Sequence, residues 1–276
     1  MSGFIFLIIF FTVFILLFGL MIYTSIKNSA KVKKMYEELI LKEGFRDIIN
    51  SSAEKNEFIQ KAMKVANKYN DYNRITPGKL VMKQEENITL YVSSANLVAG
   101  RKSSIGEAIL LVTLPVNIDG TFIIRSKLPA IIETLVSGVI ESKGLMPVRS
   151  DEQSEDKFVV YTSNMKNRNF LTPSIREVLE NYSKITGGAV SAATMNMGTV
   201  IVITDNILYI SGMNTSMYED LHGLLKLATE LSSALLKSIS EEQNNILTDS
   251  MEKICPSCRE KITGNNSFCT NCGGQI

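Results

Sequence analysis

The sequence predicts an α+β protein built from an N-terminal transmembrane helix, a helical neck, a mainly antiparallel sheet domain with helices, and a C-terminal zinc-binding module. Three observations predict this. Residues 3–23 form an uncharged apolar run, the middle of the chain carries hairpin-linked strand patterns broken by a few helices, and all four cysteines fall after position 254. The expected divisions are a transmembrane helix at 3–23, a helical neck at 27–75, an α+β domain at 78–237, a linker at 238–252 and a metal module at 253–276.

The apolar run reads Gly3-Phe-Ile-Phe-Leu-Ile-Ile-Phe-Phe through Met21-Ile-Tyr23. At ~1.5 Å per residue, a helix of this length approaches the ~30 Å hydrocarbon thickness of a bilayer. No basic segment precedes it and Tyr23-Thr-Ser-Ile26 is a poor cleavage site, which argues against a removed signal peptide. Lys27, Lys31, Lys33 and Lys34 follow it. By the positive-inside bias, the expected location is the cell membrane, with a single pass, the N-terminus outside and the remainder cytoplasmic. Reduced cysteines suit the same compartment. The lipid bilayer, through residues 3–23, is the first expected partner.

Beyond the run, Val32, Met35, Tyr36, Leu39 and Ile40 recur at helical spacing. Ser51-x-x-Glu54 matches a capping box and predicts a second helix, with Phe58, Ala62, Val65 and Ala66 on its apolar stripe. Strand patterns then follow at Leu80–Lys83 and Ile88–Val92, and at Ala108–Val116 and Thr121–Arg125. Asp119-Gly120 supplies hairpin turn chemistry between the last two. A helix is expected over Pro129–Ser142 and a strand over Phe158–Thr162. A further helix opens at Thr172-Pro173, with threonine as the cap. Three strands at Val190–Met195, Thr199–Thr204 and Ile207–Ser211 precede a closing helix from about Tyr218 to Leu236. Strands grouped this way favour an antiparallel sheet over repeated βαβ units.

Phe158-Val-Val-Tyr-Thr162, Leu171-Thr-Pro-Ser174 and Val200-Ile-Val-Ile-Thr-Asp-Asn-Ile-Leu-Tyr-Ile210 carry a resemblance. Through them, residues about 80–235 resemble a prokaryotic membrane-anchored family of unknown function. That resemblance implies no reaction and transfers no catalytic residue.

The chemistry concentrates in Cys255-Pro-Ser-Cys258 and Cys269-Thr-Asn-Cys272, separated by ten residues. Each pair places two thiolates on one turn, and four thiolates fill the tetrahedral shell that structural Zn2+ prefers. Gly273 follows the second pair, whereas Arg259 occupies the equivalent place after the first. The segment resembles the short zinc ribbons found at the ends of many prokaryotic proteins. Cys255, Cys258, Cys269 and Cys272 are therefore the expected metal ligands.

Other chemistry is sparse. His222 is the sole histidine, which excludes multi-histidine metal sites within the chain. There are 29 basic and 28 acidic residues, so the balance expected of a dedicated nucleic-acid binder is absent. No phosphate-cradling Gly-rich loop with a lysine occurs. The sequence reading is a non-catalytic scaffold or regulator that binds a protein partner at the cytoplasmic membrane face. A membrane-tethered enzyme, for example a hydrolase with a site assembled only in three dimensions, is the alternative. A nucleic-acid-recruiting ribbon is the third reading.

Overall fold

The structure is a computed structural model. It describes the chain outside residues 1, 70–71, 100–102, 128–129, 149–157, 165–171, 187–198, 214–217, 250–252, 256, 260, 263–267, 269–270 and 276. The described elements are α1 (Ser2–Lys42), β1 (Arg46–Asp47), α2 (Ser52–Ala66), β2 (Arg74–Glu85), β3 (Ile88–Ala99), β4 (Ser103–Ser126) and α3 (Ala130–Glu141). They continue as β5 (Met146–Pro147), β6 (Phe158–Thr162), α4 (Pro173–Thr186), β7 (Val200–Met213), α5 (Tyr218–Asp249), β8 (Lys253–Ile254) and β9 (Lys261–Ile262). This is a mixed α/β protein with one large antiparallel sheet.

Among the described residues, seven strands make that sheet, in the order β1-β2-β3-β4-β6-β5, with β7 along the other edge of β4. Strand β4 organises it. Its first half pairs β3 (Thr89↔Thr113 to Ala99↔Ser103) and its last residues pair β6, while β7 follows it on the opposite side from Glu107↔Met213 to Arg125↔Val200.

Both faces of the sheet are apolar because both are covered, as alternation along β4 shows. Leu110, Val112, Phe122 and Ile124 pack with Met35, Tyr36 and Leu39 of α1, Ile175 and Leu179 of α4, and the apolar stripe of α5. Ile109, Leu111 and Ile123 face the other way, among Phe58, Ala62 and Val65 of α2 and Ile140 of α3. The result is a helix–sheet–helix sandwich.

The reading of residues 3–23 as a transmembrane helix is corrected. Among the described residues, no helix is long and apolar enough to cross a membrane. The helix does not end with the apolar run: α1 continues unbroken to Lys42, and its last turns are core elements, with Leu39 fully buried. Among the described residues, its exposed large apolar side chains are Val13, Phe14, Ile15, Leu16, Phe18, Leu20, Ile22, Tyr23 and Leu41. The side chains of residues 3–12 lie outside the described set.

Other expectations shift for local reasons. The hairpin between β2 and β3 forms as expected, turning at Glu86 with φ 46°. Asp119-Gly120, by contrast, does not reverse the chain. Residues on both sides of it pair with β7, and the irregularity is a bulge within one 24-residue strand, with Gly120 at φ 88°. The two strands expected over 199–211 are likewise one, β7, bent at Asp205 with φ 52°. That bend reverses which parity faces which layer: Ile203 and Leu208 share one side, Val202 and Ile207 the other. The strand expected at Val190–Met195 lies outside the described residues. Ser51 caps α2 by backbone position alone, because its side chain makes no cap hydrogen bond. Glu54 forms a two-pronged ion pair with Arg46, and that pairing, assisted by a hydrogen bond with the Ser51 side chain, holds its carboxyl below the ordinary range. Thr172 does meet its expected role, its Oγ1 accepting from the Ile175 N–H at 3.5 Å.

Leu110 is 1% exposed at the centre of the sheet. Leu110→Ala should cost about 2–5 kcal/mol, read as a lowered urea midpoint with an unchanged slope.

Candidate metal centre

The cysteine module is too small to bury a useful core, so its geometry rests on turns and sulfur. Strands β8 and β9 pair antiparallel (Lys253↔Ile262, Ile254↔Lys261), and Phe268 bridges Gln275. Cys255 leaves β8 directly into a turn closed by the Arg259 N–H donating to the Cys255 carbonyl at 2.8 Å. The residue after each second cysteine has positive φ: Arg259 at 61° and Gly273 at 70°. The two positions share that left-handed φ, one with the residue type it favours and one without. A Cβ on Gly274 would stand 2.9 Å from Ser257 Oγ and 3.3 Å from Cys272 Sγ, so the two turns are in close contact there.

Three sulfurs converge. Cys255, Cys258 and Cys272 offer Sγ atoms all within 4.8 Å of one another, and the Cys255–Cys272 separation is 3.5 Å. A disulfide is ~2.05 Å, so this is not one. A zinc–thiolate tetrahedron with ~2.3 Å bonds has sulfurs about 3.8 Å apart, and the cluster fits that size. Cys269, the fourth expected ligand, lies outside the described residues.

The electrostatics suit a cation. The Cys255 thiol is drawn down to about 6, chiefly by the Cys258 backbone N–H, with Ser257 N–H and the neighbouring thiols assisting. Hydrogen bonds aimed at sulfur favour thiolate, the form that ligates metal. Cys255, Cys258 and Cys272 lie close enough to bind a metal ion, and zinc is one that thiolate donors at this spacing fit. Such an ion supplies folding free energy to a module lacking a core.

A second polar cluster escaped the sequence reading. Arg125 on β4 is 3% exposed and reaches Glu133 on α3 with Nη1–Oε2 2.9 Å and Nη2–Oε1 2.5 Å. Arg125 Nη2 also donates to Tyr161 OH of β6 at 2.9 Å, and Tyr161 OH lies 2.6 Å from Ser137 Oγ. The guanidinium carbon sits 5.4 Å from the Tyr161 ring centroid. One signal was available: Arg125 shares strand parity with Ile109, Leu111 and Ile123, so it points into the core. Beside it lies a cavity of about 150 Å³, walled mainly by Tyr69, Ile123, Val136, Val139, Ile140 and Val200.

His222, the sole histidine, is on the surface, with Nδ1 3.8 Å from Glu43.

No known protein family matches the chain, and no curated protein does. The resemblance of residues 80–235 to a membrane-anchored family therefore has no family match behind it. A solved structure of the mycobacterial trehalose monomycolate transport factor A, TtfA, is similar at TM-score 0.37 and 11% identity, covering 58% of this chain and 73% of that one. At that TM-score the likeness carries no argument.

Two outcomes follow. Arg259→Gly relieves a left-handed arginine and should tighten zinc binding about three- to five-fold, corresponding to roughly 1 kcal/mol or less, in a chelator competition. Glu133→Ala strands the buried guanidinium and should destabilise the domain by about 3–5 kcal/mol, whereas Arg125→Met with Glu133→Leu should cost far less, both read by urea unfolding.

Proposed function

We propose that this chain is a non-catalytic scaffold or regulator whose zinc ribbon is a structural module for contact with a protein partner. The observation that carries this reading is the cysteine cluster. Its ligand set is thiolate only, and four thiolates would close the metal's coordination sphere, leaving no position for substrate. Cys255, Cys258 and Cys272, with Cys269 from the second pair, are the residues that would hold the ion.

The Arg125 cluster supports the same reading over an enzyme assembled in three dimensions. Arg125, Glu133, Ser137 and Tyr161 hydrogen-bond among themselves. An active site instead presents convergent polar groups to a ligand. This cluster ties α3 to the sheet, and the adjoining cavity wall is aliphatic and aromatic apart from Arg125. The nucleic-acid reading has little support in the ribbon's sequence, where Lys253, Arg259 and Lys261 are offset by Glu252 and Glu260.

Elemental analysis of the purified full chain should give one zinc per chain, and Cys255→Ser should reduce it below one tenth of that value. Proximity labelling in the native cell should then mark a protein set that the Cys255→Ser chain no longer marks. Zinc-free wild type would defeat the metal assignment; identical labelling by both chains would defeat the ribbon's role in partner contact.

A further inference from the structure

Helix α1 carries a surface that neither the ribbon nor the sheet accounts for. Val13, Phe14, Ile15 and Leu16 are consecutive, and their exposures run from 48% to 67%. Four consecutive residues at ~100° steps cover most of a helix circumference. Phe18, Leu20, Ile22 and Tyr23 continue the exposed apolar surface, and the Phe14 and Phe18 rings stack with centroids 6.2 Å apart. A single protein partner covers one face of a helix. An apolar surface wrapped around the whole rod matches a surrounding apolar medium.

The next turns carry the complementary charge. Lys27, Lys31, Lys33 and Lys34 are all exposed, within about 17 Å of helix beyond Tyr23. Lys27 Nζ stands 5.9 Å from the centre of the Tyr23 ring, so an aromatic side chain and a lysine meet where the apolar surface stops. Aromatic and basic side chains gather in this way at the boundary between acyl chains and headgroups. One turn further on, Met35, Tyr36 and Leu39 are buried in the core, which fixes the other end of the rod in the protein.

We infer that the apolar end of α1 seats in a lipid surface, with the lysine collar against anionic headgroups. Such contact requires no crossing of a bilayer and is independent of the ribbon's role.

The test is flotation of the purified full chain with vesicles of phosphatidylcholine alone or with phosphatidylserine. Wild type should float with both and partition more strongly into the anionic vesicles. Phe14→Glu with Phe18→Glu should lower partitioning at least about a hundred-fold, given the transfer free energy of two phenylalanines. Thermal unfolding of the domain should be unchanged, because both rings are solvent-exposed. Lys27→Gln and Lys31→Gln should each weaken binding about five-fold on anionic vesicles and leave neutral vesicles unaffected. Wild type that stays in the dense fraction with both vesicle types would overturn the inference. So would equal flotation of the Phe14→Glu, Phe18→Glu chain, or lipid-free self-association that leaves no vesicle-bound fraction, which would assign the surface to a second copy.

Discussion

Burial on both faces of β4 governs the architecture. A strand flanked by partners on both edges satisfies its backbone groups internally, which permits a long apolar sequence such as Ala108-Ile-Leu-Leu-Val-Thr-Leu114 at the centre. Its two side-chain parities then require two helical layers. Helices α1, α4 and α5 meet one requirement, and α2 and α3 the other. A one-residue slip of β4 would exchange the two cores, so register along this strand is strictly specified.

The charged group that enters that interior does so among polar partners, although the Arg125 Nε is left without a hydrogen-bond partner. Arg125 lies where parity demands an apolar residue, and Glu133, Ser137 and Tyr161 compensate it within hydrogen-bonding distance. Thr121 and Thr204, both buried, meet Oγ1 to Oγ1 at 2.9 Å across β4 and β7. Burial likewise raises the Tyr36 phenol well above its usual range despite hydrogen bonds with Ser94. The ribbon reaches stability by the opposite route, with sulfur chemistry standing in for a core.

Much of this organisation was legible in the sequence, and the gaps have physical causes. Helical spacing found Met35, Tyr36 and Leu39 in α1 and Phe58 and Ala62 in α2, because periodicity reports burial directly. Cysteine spacing identified three residues that do meet. Turn chemistry misled at Asp119-Gly120: a glycine with positive φ serves a bulge as well as a hairpin, and only the partner strand distinguishes them. Hydropathy misled at residues 3–23 because it marks an apolar helix without showing where that helix ends or what its far end packs against. Arg125, Glu133, Ser137 and Tyr161 are too far apart in the sequence, and too ordinary singly, to announce a cluster.

Strand β7 has a consequence for synthesis. It pairs with β4, yet Met213 follows its partner Glu107 by about 100 residues. A ribosome adding roughly 5–20 residues per second leaves that edge of β4 waiting about 5–20 seconds for its neighbour. For that interval the growing chain presents an aliphatic template to other nascent chains, and β3, made just earlier, can shield only the opposite edge. Until β7 emerges, the backbone N–H and C=O groups along that edge of β4 have only water or another strand to pair with.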